Sequence, residues 1–311
     1  MATVYINSAT GSDAYTYAQA QISVTPWQTI AKANTSATTG DTVVLQETAT
    51  IYTFASITFT KSLTIMAENI GDAIIDGTAG ASAWTTGVYS LRLENLIFQN
   101  VTTNALGMFY MSGTATRNIL VKNCIFRDII LGVNNNNSSI FCNLAPASKI
   151  TQNLDLIGCS FENITTPYSG IDSQIAVVAN NSSANGSEIN FTMTNCGIYL
   201  PAATYQLKNI LQHVYPASGD AFTMDNVIID NMSGGTVNFS RTYGNLAYQH
   251  ILNSTFQNIT SPVAAFTSGV YDVSTNPTGT NLTSGLTYAD VANGNYIPQP
   301  SSGQSFTGRL I

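Results

Sequence analysis

The segment KNCIFRDII, residues 122–130, decides the fold because five other segments of the chain repeat its pattern. They are ENLIFQNVT (94–102), IGCSFENIT (157–165), TNCGIYLPA (194–202), DNVIIDNMS (225–233) and LNSTFQNIT (252–260). The second residue of each segment is its anchor, and the anchors Asn95, Asn123, Gly158, Asn195, Asn226 and Asn253 lie 27 to 37 residues apart. Self-similarity at such a spacing is typical of solenoid proteins, in which each repeat is one structural unit.

Aligned on the anchor, the segments alternate between apolar and polar residues. The residue two before the anchor is always apolar: Leu93, Val121, Leu156, Met193, Met224 and Ile251. The residue three after it is also always apolar: Phe98, Phe126, Phe161, Ile198, Ile229 and Phe256. Alternation with a period of two predicts strands with one buried face. Asn and Gly tolerate a left-handed backbone, so each unit is predicted to be a strand, a tight turn at the anchor, and a second strand.

Stacking of these units predicts an all-β fold, a right-handed parallel β-helix of roughly eight coils. A second Asn column, at Asn100, Asn163, Asn231 and Asn258, is expected to hydrogen-bond from coil to coil. Residues 1–40 are predicted to form an N-terminal cap with a short helix, for which Thr25 is the N-cap and Pro26 the first helical residue. Residues 41–275 are predicted to form the β-helix, and residues 276–311 an irregular C-terminal cap or tail.

Three further segments strengthen this interpretation: VYINSATGSD (4–13), PWQTIAKA (26–33) and GDTVVLQ (40–46). Followed by coils of the NCxF type, they resemble the right-handed β-helix proteins of the pectate-lyase-like superfamily, including phage tailspikes and appendages. The resemblance implies the fold. It does not imply an activity, since the superfamily includes lyases, hydrolases, tailspikes, adhesins and inert structural proteins.

Composition excludes several classes of partner. Charged residues are 9% of the chain and the net charge is −7, without a basic run, so no nucleic-acid partner is expected. No stretch approaches the roughly 18 apolar residues of a membrane span, and the N-terminal residues lack the pattern of a secretory signal. Cys124, Cys159 and Cys196 share one column and form no C-x-x-C pair, which predicts buried free thiols and neither a metal nor another cofactor.

No catalytic residues are predicted. Polysaccharide hydrolases of the family resemble one another in clustered aspartates with Gly-His-Gly and Arg-x-Lys motifs, and this sequence contains none of them. Asp155, Asp225 and Asp230 are the nearest match to the outward carboxylates of the calcium-dependent lyases. However, Asp155 and Asp225 fall in different columns, and general acid–base chemistry needs two groups within reach of one bond.

The most site-like stretches are LQHVYPASGD (211–220) and SRTYGNLAYQH (240–250). They contain the six candidate binding residues Arg241, Tyr243, Tyr248, His250, His213 and Tyr215. Aromatic rings beside polar groups are what sugar rings stack on, so we expect a contact with a glycan or with another subunit. The alternative is that these are ordinary surface aromatics on loops between coils.

Three functions are consistent with the sequence. The first is a non-enzymatic structural protein on a virion surface, a phage decoration or tail-appendage subunit. Its expected partners are other virion or surface subunits in a homo-oligomer, with a glycan as a further partner. The second is a polysaccharide lyase or glycoside hydrolase resembling a phage depolymerase. The third is an adhesin module, located outside the cell or on its surface.

Overall fold

The computed structural model describes residues 1–77, 83–103, 107–113, 115–132, 138–144, 151–166, 176–180, 188–200, 209–213, 221–230, 238–242, 246–252, 255–257, 269–272, 288–290 and 295–298. Three parallel sheets surround one apolar interior, and each repeat contributes strands to the sheets in turn. The predicted right-handed parallel β-helix is therefore confirmed.

The first sheet has ten strands in the described part of the chain. In sheet order they are β1 (Thr3–Ile6), β2 (Thr42–Leu45), β5 (Leu63–Ala67), β8 (Leu91–Glu94), β12 (Arg117–Lys122), β15 (Thr151–Ile157), β18 (Glu188–Thr194), β21 (Ala221–Asp225), β24 (Leu246–Leu252) and β26 (Gly269–Asp272). All of these strands pair in parallel.

The second and third sheets complete the coils. The second contains β3 (Tyr52–Thr53), β6 (Ala73–Asp76), β9 (Leu96–Gln99), β13 (Ile125–Leu131), β16 (Ser160–Thr165), β19 (Gly197–Tyr199), β22 (Ile228–Asp230) and β25 (Thr255–Gln257), with β10 (Thr102–Thr103) pairing beside β13. The third contains β4 (Ile57–Thr58), β7 (Trp84–Thr85), β11 (Gly107–Ser112), β14 (Ser139–Leu144), β17 (Ala176–Asn180), β20 (Asn209–His213) and β23 (Asn238–Thr242).

The predicted columns are rows of paired residues in neighbouring strands. Leu93 pairs with Val121, and the row continues to Ile251 in the first sheet. Phe98 pairs with Phe126, and that row continues to Phe256 in the second sheet. The rings of Phe98, Phe126 and Phe161 are fully buried and stacked face to face, so the register predicted from the alternation is confirmed. The side chain of Phe256 lies outside the described part.

The anchors form the turn between the first and second sheets in a left-handed conformation. Their φ angles are 58° at Asn95, 52° at Asn123, 64° at Gly158, 54° at Asn195 and 53° at Asn226. Because the anchors share this conformation, the Asn side chains of neighbouring coils can stack on one another. Nδ2 of Asn123 donates to Oδ1 of Asn95 (3.3 Å), and Nδ2 of Asn226 donates to Oδ1 of Asn195 (2.7 Å). Gly158 interrupts this ladder because it has no side chain.

The second predicted Asn column also forms hydrogen bonds between coils. Nδ2 of Asn100 donates to a carboxylate oxygen of Asp76 (2.7 Å), and Nδ2 of Asn163 donates to Oδ1 of Asp128 (2.7 Å). Asn100, Asp128 and Asn163 have φ angles of 53°, 56° and 53°, so this corner is left-handed too. Asn231 and Asn258 lie outside the described residues.

We expect Gly158→Asn to stabilise the protein by about 0.5–1 kcal/mol. Asparagine accepts the left-handed backbone, restricts the unfolded chain more than glycine does, and completes the ladder between Asn123 and Asn195. The matched control is Gly158→Ala, which adds a side chain without an amide and should destabilise by about 1–2 kcal/mol because of its positive φ. Denaturant unfolding measures both changes, and equal effects of the two variants would contradict the ladder.

The three column cysteines lie in consecutive coils and are buried free thiols, as predicted. The backbone N–H of Cys159 donates to Sγ of Cys196 at 3.4 Å, which places these two residues in direct contact. Burial raises the pKa of the Cys124 and Cys196 thiols well above the usual value. Cys142 lies outside the column, in the third sheet, and burial raises its pKa to about 12.

All four cysteines are therefore expected to resist thiol reagents in the native protein at about pH 8, because the thiolate is the reactive species. Unfolding in denaturant should make all four react, which a count of labels per chain measures. The variant Thr58→Cys, at an exposed position of β4, provides a positive control that should react in the native state. Rapid labelling of the column cysteines without denaturant would contradict their placement.

The N-terminal cap differs from the prediction. The helices are α1 (Tyr17–Ala20) and α2 (Ile30–Ser36), and the N-cap of α2 is Thr29, whose side chain accepts from the N–H of Lys32. The predicted start at Thr25 and Pro26 is thus wrong. Instead, the chain at Trp27 forms a parallel bridge to Ile6, and its N–H donates to the carbonyl of Tyr5 at 2.9 Å. Covering the edge of β1 requires extended backbone here, so the helix begins later.

The two ends of the β-helix also differ from expectation. The first sheet begins at β1 and ends at β26 in the described part, which gives ten strands against about eight predicted coils. Within the segment predicted to be irregular, β27 (Tyr288–Asp290) and β28 (Asn295–Pro298) form an antiparallel pair. The domain limits at residues 40 and 275 stay predictions, although β1, before the first of them, is already a strand of the first sheet.

Candidate functional site

The six residues predicted from sequence do not share one sheet. His213 and Arg241 lie in β20 and β23 of the third sheet, where Thr242 pairs with His213 and Gln212 with Arg241. Tyr248 and His250 lie in β24 of the first sheet. Tyr215 and Tyr243 are outside the described residues. A contact through these residues stays a prediction.

Tyr248 and His250 continue two rows of the first sheet. Tyr248 pairs with Ala221, and His250 pairs with Thr223. These rows run along the outer surface, because the residues between them, such as Phe222 and Met224, are buried. The outward rows that pass through Ala221 and Thr223 belong to a longer surface, and that surface is the strongest candidate site in the described part.

We call this surface the polar face and define it by three outward rows of the first sheet. They consist of Asn118, Asn153 and Asn190; then Asp155, Thr192 and Thr223; then Thr194 and Asp225. Asn118 is exposed and the others are partly exposed. Strands alternate their side chains between the two faces, so the same backbone that buries Leu154, Leu156 and Phe191 presents these polar groups to solvent.

The first row is a further amide ladder. Nδ2 of Asn190 donates to Oδ1 of Asn153 at 2.8 Å, and Nδ2 of Asn153 donates to Oδ1 of Asn118 at 2.7 Å. An amide has two N–H donors and two acceptor lone pairs, so each ladder step uses only part of this capacity. What remains is a fixed series of donors and acceptors about 4.8 Å apart, one per coil.

The two carboxylates of the polar face lie on strands that are not neighbours. Asp155 is in β15 and Asp225 in β21, with β18 between them, and Asp225 pairs with Thr194 in the next row. Two strand spacings and two residues along the strand put their Cα atoms about 12 Å apart. Asp230 lies in the second sheet.

Basic groups lie at the other end of the polar face. Arg92 forms an ion pair with Glu94 on the same strand, and Lys122 pairs in the register with Glu94. Both cations therefore lie next to the carboxylate of Glu94. In the row that contains Arg92 and Asp155, Leu120 lies between the two residues.

One polar row of the second sheet was overlooked in the sequence. Nε2 of Gln99 donates to Asp76 at 2.8 Å, and Nε of Arg127 donates to Oε1 of Gln99 at 3.0 Å. In the next coil Glu162, which is buried, accepts from the hydroxyl of Ser160 at 2.6 Å. The signal was present, since the residue four after the anchor is polar in five of the six repeats and is Tyr199 in the other. The bonds of Gln99 join neighbouring coils, whereas the bond between Ser160 and Glu162 lies within one strand, and both support a structural role.

A groove of about 320 Å³ lies beside the N-terminal cap, between α2 and the strands β3 and β4. Its lining includes Ile30, Ile51, Tyr52 and Ile57. The hydroxyl of Tyr52 lies 2.7 Å from the carbonyl oxygen of Gln46, so it already has a partner. The lining contains no charged side chain and is remote in sequence from the polar face.

No cluster of three His, Cys, Asp or Glu side chains in the described part of the chain is arranged to hold a metal ion. Neither described helix has the length and apolar character needed to cross a bilayer.

No protein-family model matches the sequence, and no curated protein matches it. Among solved structures, the pectin methylesterase PemA from Erwinia chrysanthemi is 13% identical over 87% of this chain and 93% of that chain, with a TM-score of 0.37. A pectin methylesterase in complex with a hexasaccharide is 14% identical over 80% and 90%, with a TM-score of 0.35. The PL6 family alginate lyase AlyGC is 12% identical over 77% and 38%, with a TM-score of 0.30.

These similarities concern the fold alone. The fold itself, a parallel β-helix, is defined by the stacked parallel sheets and their register. The phage part of the resemblance stays a prediction.

Proposed function

We propose that this protein is a non-enzymatic surface β-helix that contacts a glycan through its polar face. The observation that supports the proposal most is the ladder of Asn118, Asn153 and Asn190 with the neighbouring row of Asp155 and Thr192. Sugar hydroxyls donate and accept hydrogen bonds, and these side chains offer both functions on a rigid sheet. A chain of sugars laid along the coils would meet an equivalent group at every step.

As a finer part of this proposal, the protein is a virion decoration or tail-appendage subunit that packs against further copies. Its low content of charged residues, 9%, supports close packing of its flanks, because little charge has to be desolvated. A homo-oligomer would present several polar faces and strengthen a weak glycan contact through multivalency.

The test is binding of the purified protein to a panel of acidic and neutral polysaccharides. Asn153→Ala removes the centre of the ladder and should weaken binding roughly tenfold, since two hydrogen bonds between coils are lost and the outward donors become mobile. Thr58→Ala, at an exposed position of the third sheet, is the control and should bind as the parent does.

The same samples test the competing enzymatic function. New reducing ends and unsaturated products are measured with and without calcium. Product formation that disappears in Asp155→Asn or Asp225→Asn would overturn the non-enzymatic proposal in favour of a lyase or hydrolase. Failure to bind any polysaccharide of the panel would contradict the proposed glycan contact. Only the proposed packing against other subunits would then remain.

A further inference from the structure

The interior of the β-helix contains a buried arginine. Arg117 begins β12 and is only 1% exposed. Its Nη1 donates to the carbonyl oxygen of Ser112 at 2.7 Å and to that of Gly87, and lies 3.4 Å from the hydroxyl of Thr86. Its Nη2 donates to the carbonyl oxygen of Gly113 at 3.2 Å. These partners are all neutral.

The guanidinium nevertheless has an unused donor. Nε of Arg117 is buried and has no hydrogen-bond partner in the described part of the chain. Nε–H and Nη2 lie on one edge of the guanidinium, the edge that recognises anions with two parallel hydrogen bonds. In Arg117 this edge has only the bond from Nη2 to Gly113.

The adjacent coil presents a second unsatisfied group. Gln152 is the register partner of Arg117 in β15 and is also 1% exposed. Neither its Oε1 nor its Nε2 has a hydrogen-bond partner among the described residues. A buried amide without partners is destabilising, and such groups are uncommon in native interiors.

Charge distinguishes the ligand that would accept from the two unused donors, Nε of Arg117 and Nε2 of Gln152. Burial lowers the pKa of Arg117 to about 10, so the guanidinium stays protonated at neutral pH. No described carboxylate forms an ion pair with it. A buried cation surrounded only by neutral groups is unfavourable by several kcal/mol, and a water molecule would satisfy donors without compensating the charge.

We propose that a small monovalent anion, of the size and chemistry of chloride, binds inside the β-helix between Arg117 and Gln152. It would accept a hydrogen bond from Nε–H of Arg117 and one from the amide of Gln152, and so join two neighbouring coils. This site lies in the interior, and it does not depend on the glycan contact.

The test compares the thermal unfolding midpoint of the full chain in sodium chloride and in sodium gluconate of equal ionic strength. Chloride should raise the midpoint and the effect should saturate; at a concentration near 100 times Kd, the unfolding equilibrium constant should fall roughly 100-fold. Gln152→Leu should weaken the chloride effect at least tenfold, and Arg117→Met should abolish it. Arg127→Met removes a partly exposed arginine of the second sheet and should leave the chloride effect unchanged.

Crystals grown in sodium bromide give a second readout that does not require any variant to fold. An anomalous peak within hydrogen-bond distance of Nε of Arg117 is the expected result. Equal midpoints in the two salts, or a water molecule at that position in bromide crystals, would overturn the proposal. If Arg117→Met does not fold, the proposal is tested by the chloride effect in Gln152→Leu and by the position of bromide in the crystal.

Discussion

Replacing Phe126 with Ala should lower the free energy of unfolding by about 3–5 kcal/mol. The ring of Phe126 lies between those of Phe98 and Phe161, with centroid distances of 5.2 and 5.0 Å and interplanar angles of 4° and 8°. Its edges meet Phe109 and Phe141 at 6.1 and 5.8 Å. The coils above and below are fixed by their own strands, so they cannot close the cavity that the truncation leaves.

Chemical denaturation monitored by circular dichroism measures this loss. Phe126→Leu preserves most of the volume and should be less harmful than Phe126→Ala. Ile130→Ala, on the same strand but 41% exposed, should change the stability by less than about 0.5 kcal/mol. A loss for Phe126→Ala as small as that of Ile130→Ala would show that the aromatic stack is not the core.

Trp27→Ala should have a similarly large effect, about 3–5 kcal/mol, and should also make the protein associate. Trp27 is fully buried at the open end of the first coil, and its indole N–H donates to the carbonyl of Tyr15 at 2.8 Å. Its backbone N–H donates to Tyr5, and its carbonyl accepts from Asn7 at 2.8 Å, so it covers the edge of β1. An uncovered strand edge pairs readily with another chain.

Size-exclusion chromatography with light scattering measures the association, and thermal unfolding measures the stability. Gln28→Ala, at the exposed neighbouring position, is the control and should behave as the parent does. If Trp27→Ala stays as stable and as little associated as Gln28→Ala, the segment around Trp27 is not the cap of the β-helix.

The repeating part of the fold was readable from sequence because its causes are local. A left-handed turn needs Asn or Gly, and a strand with one buried face needs alternation, so Asn95 and Phe98 each signal their own environment. The same logic located the thiols of Cys124, Cys159 and Cys196. None of these assignments depends on where another coil begins.

The rest depends on contacts between distant parts of the chain. Thr25 and Pro26 have the pattern of a helix start. However, the next residue, Trp27, bridges to Ile6 at the edge of β1 and is therefore extended. Arg117 looks like a surface residue in the sequence, and only the inward register of β12 shows that it is buried. Arg241 and Tyr248 are close in sequence, but their strands β23 and β24 belong to different sheets.

The amide ladders also have a direction. In every described step the Nδ2 group donates towards the coil nearer the N-terminus, from Asn123 to Asn95, from Asn190 to Asn153 and from Asn226 to Asn195. Each finished coil therefore offers acceptor oxygens to the coil that the ribosome makes next. Trp27 covers the edge of β1, so coils can be added to the stack only at its other end. This favours folding as vectorial, co-translational growth on an existing template.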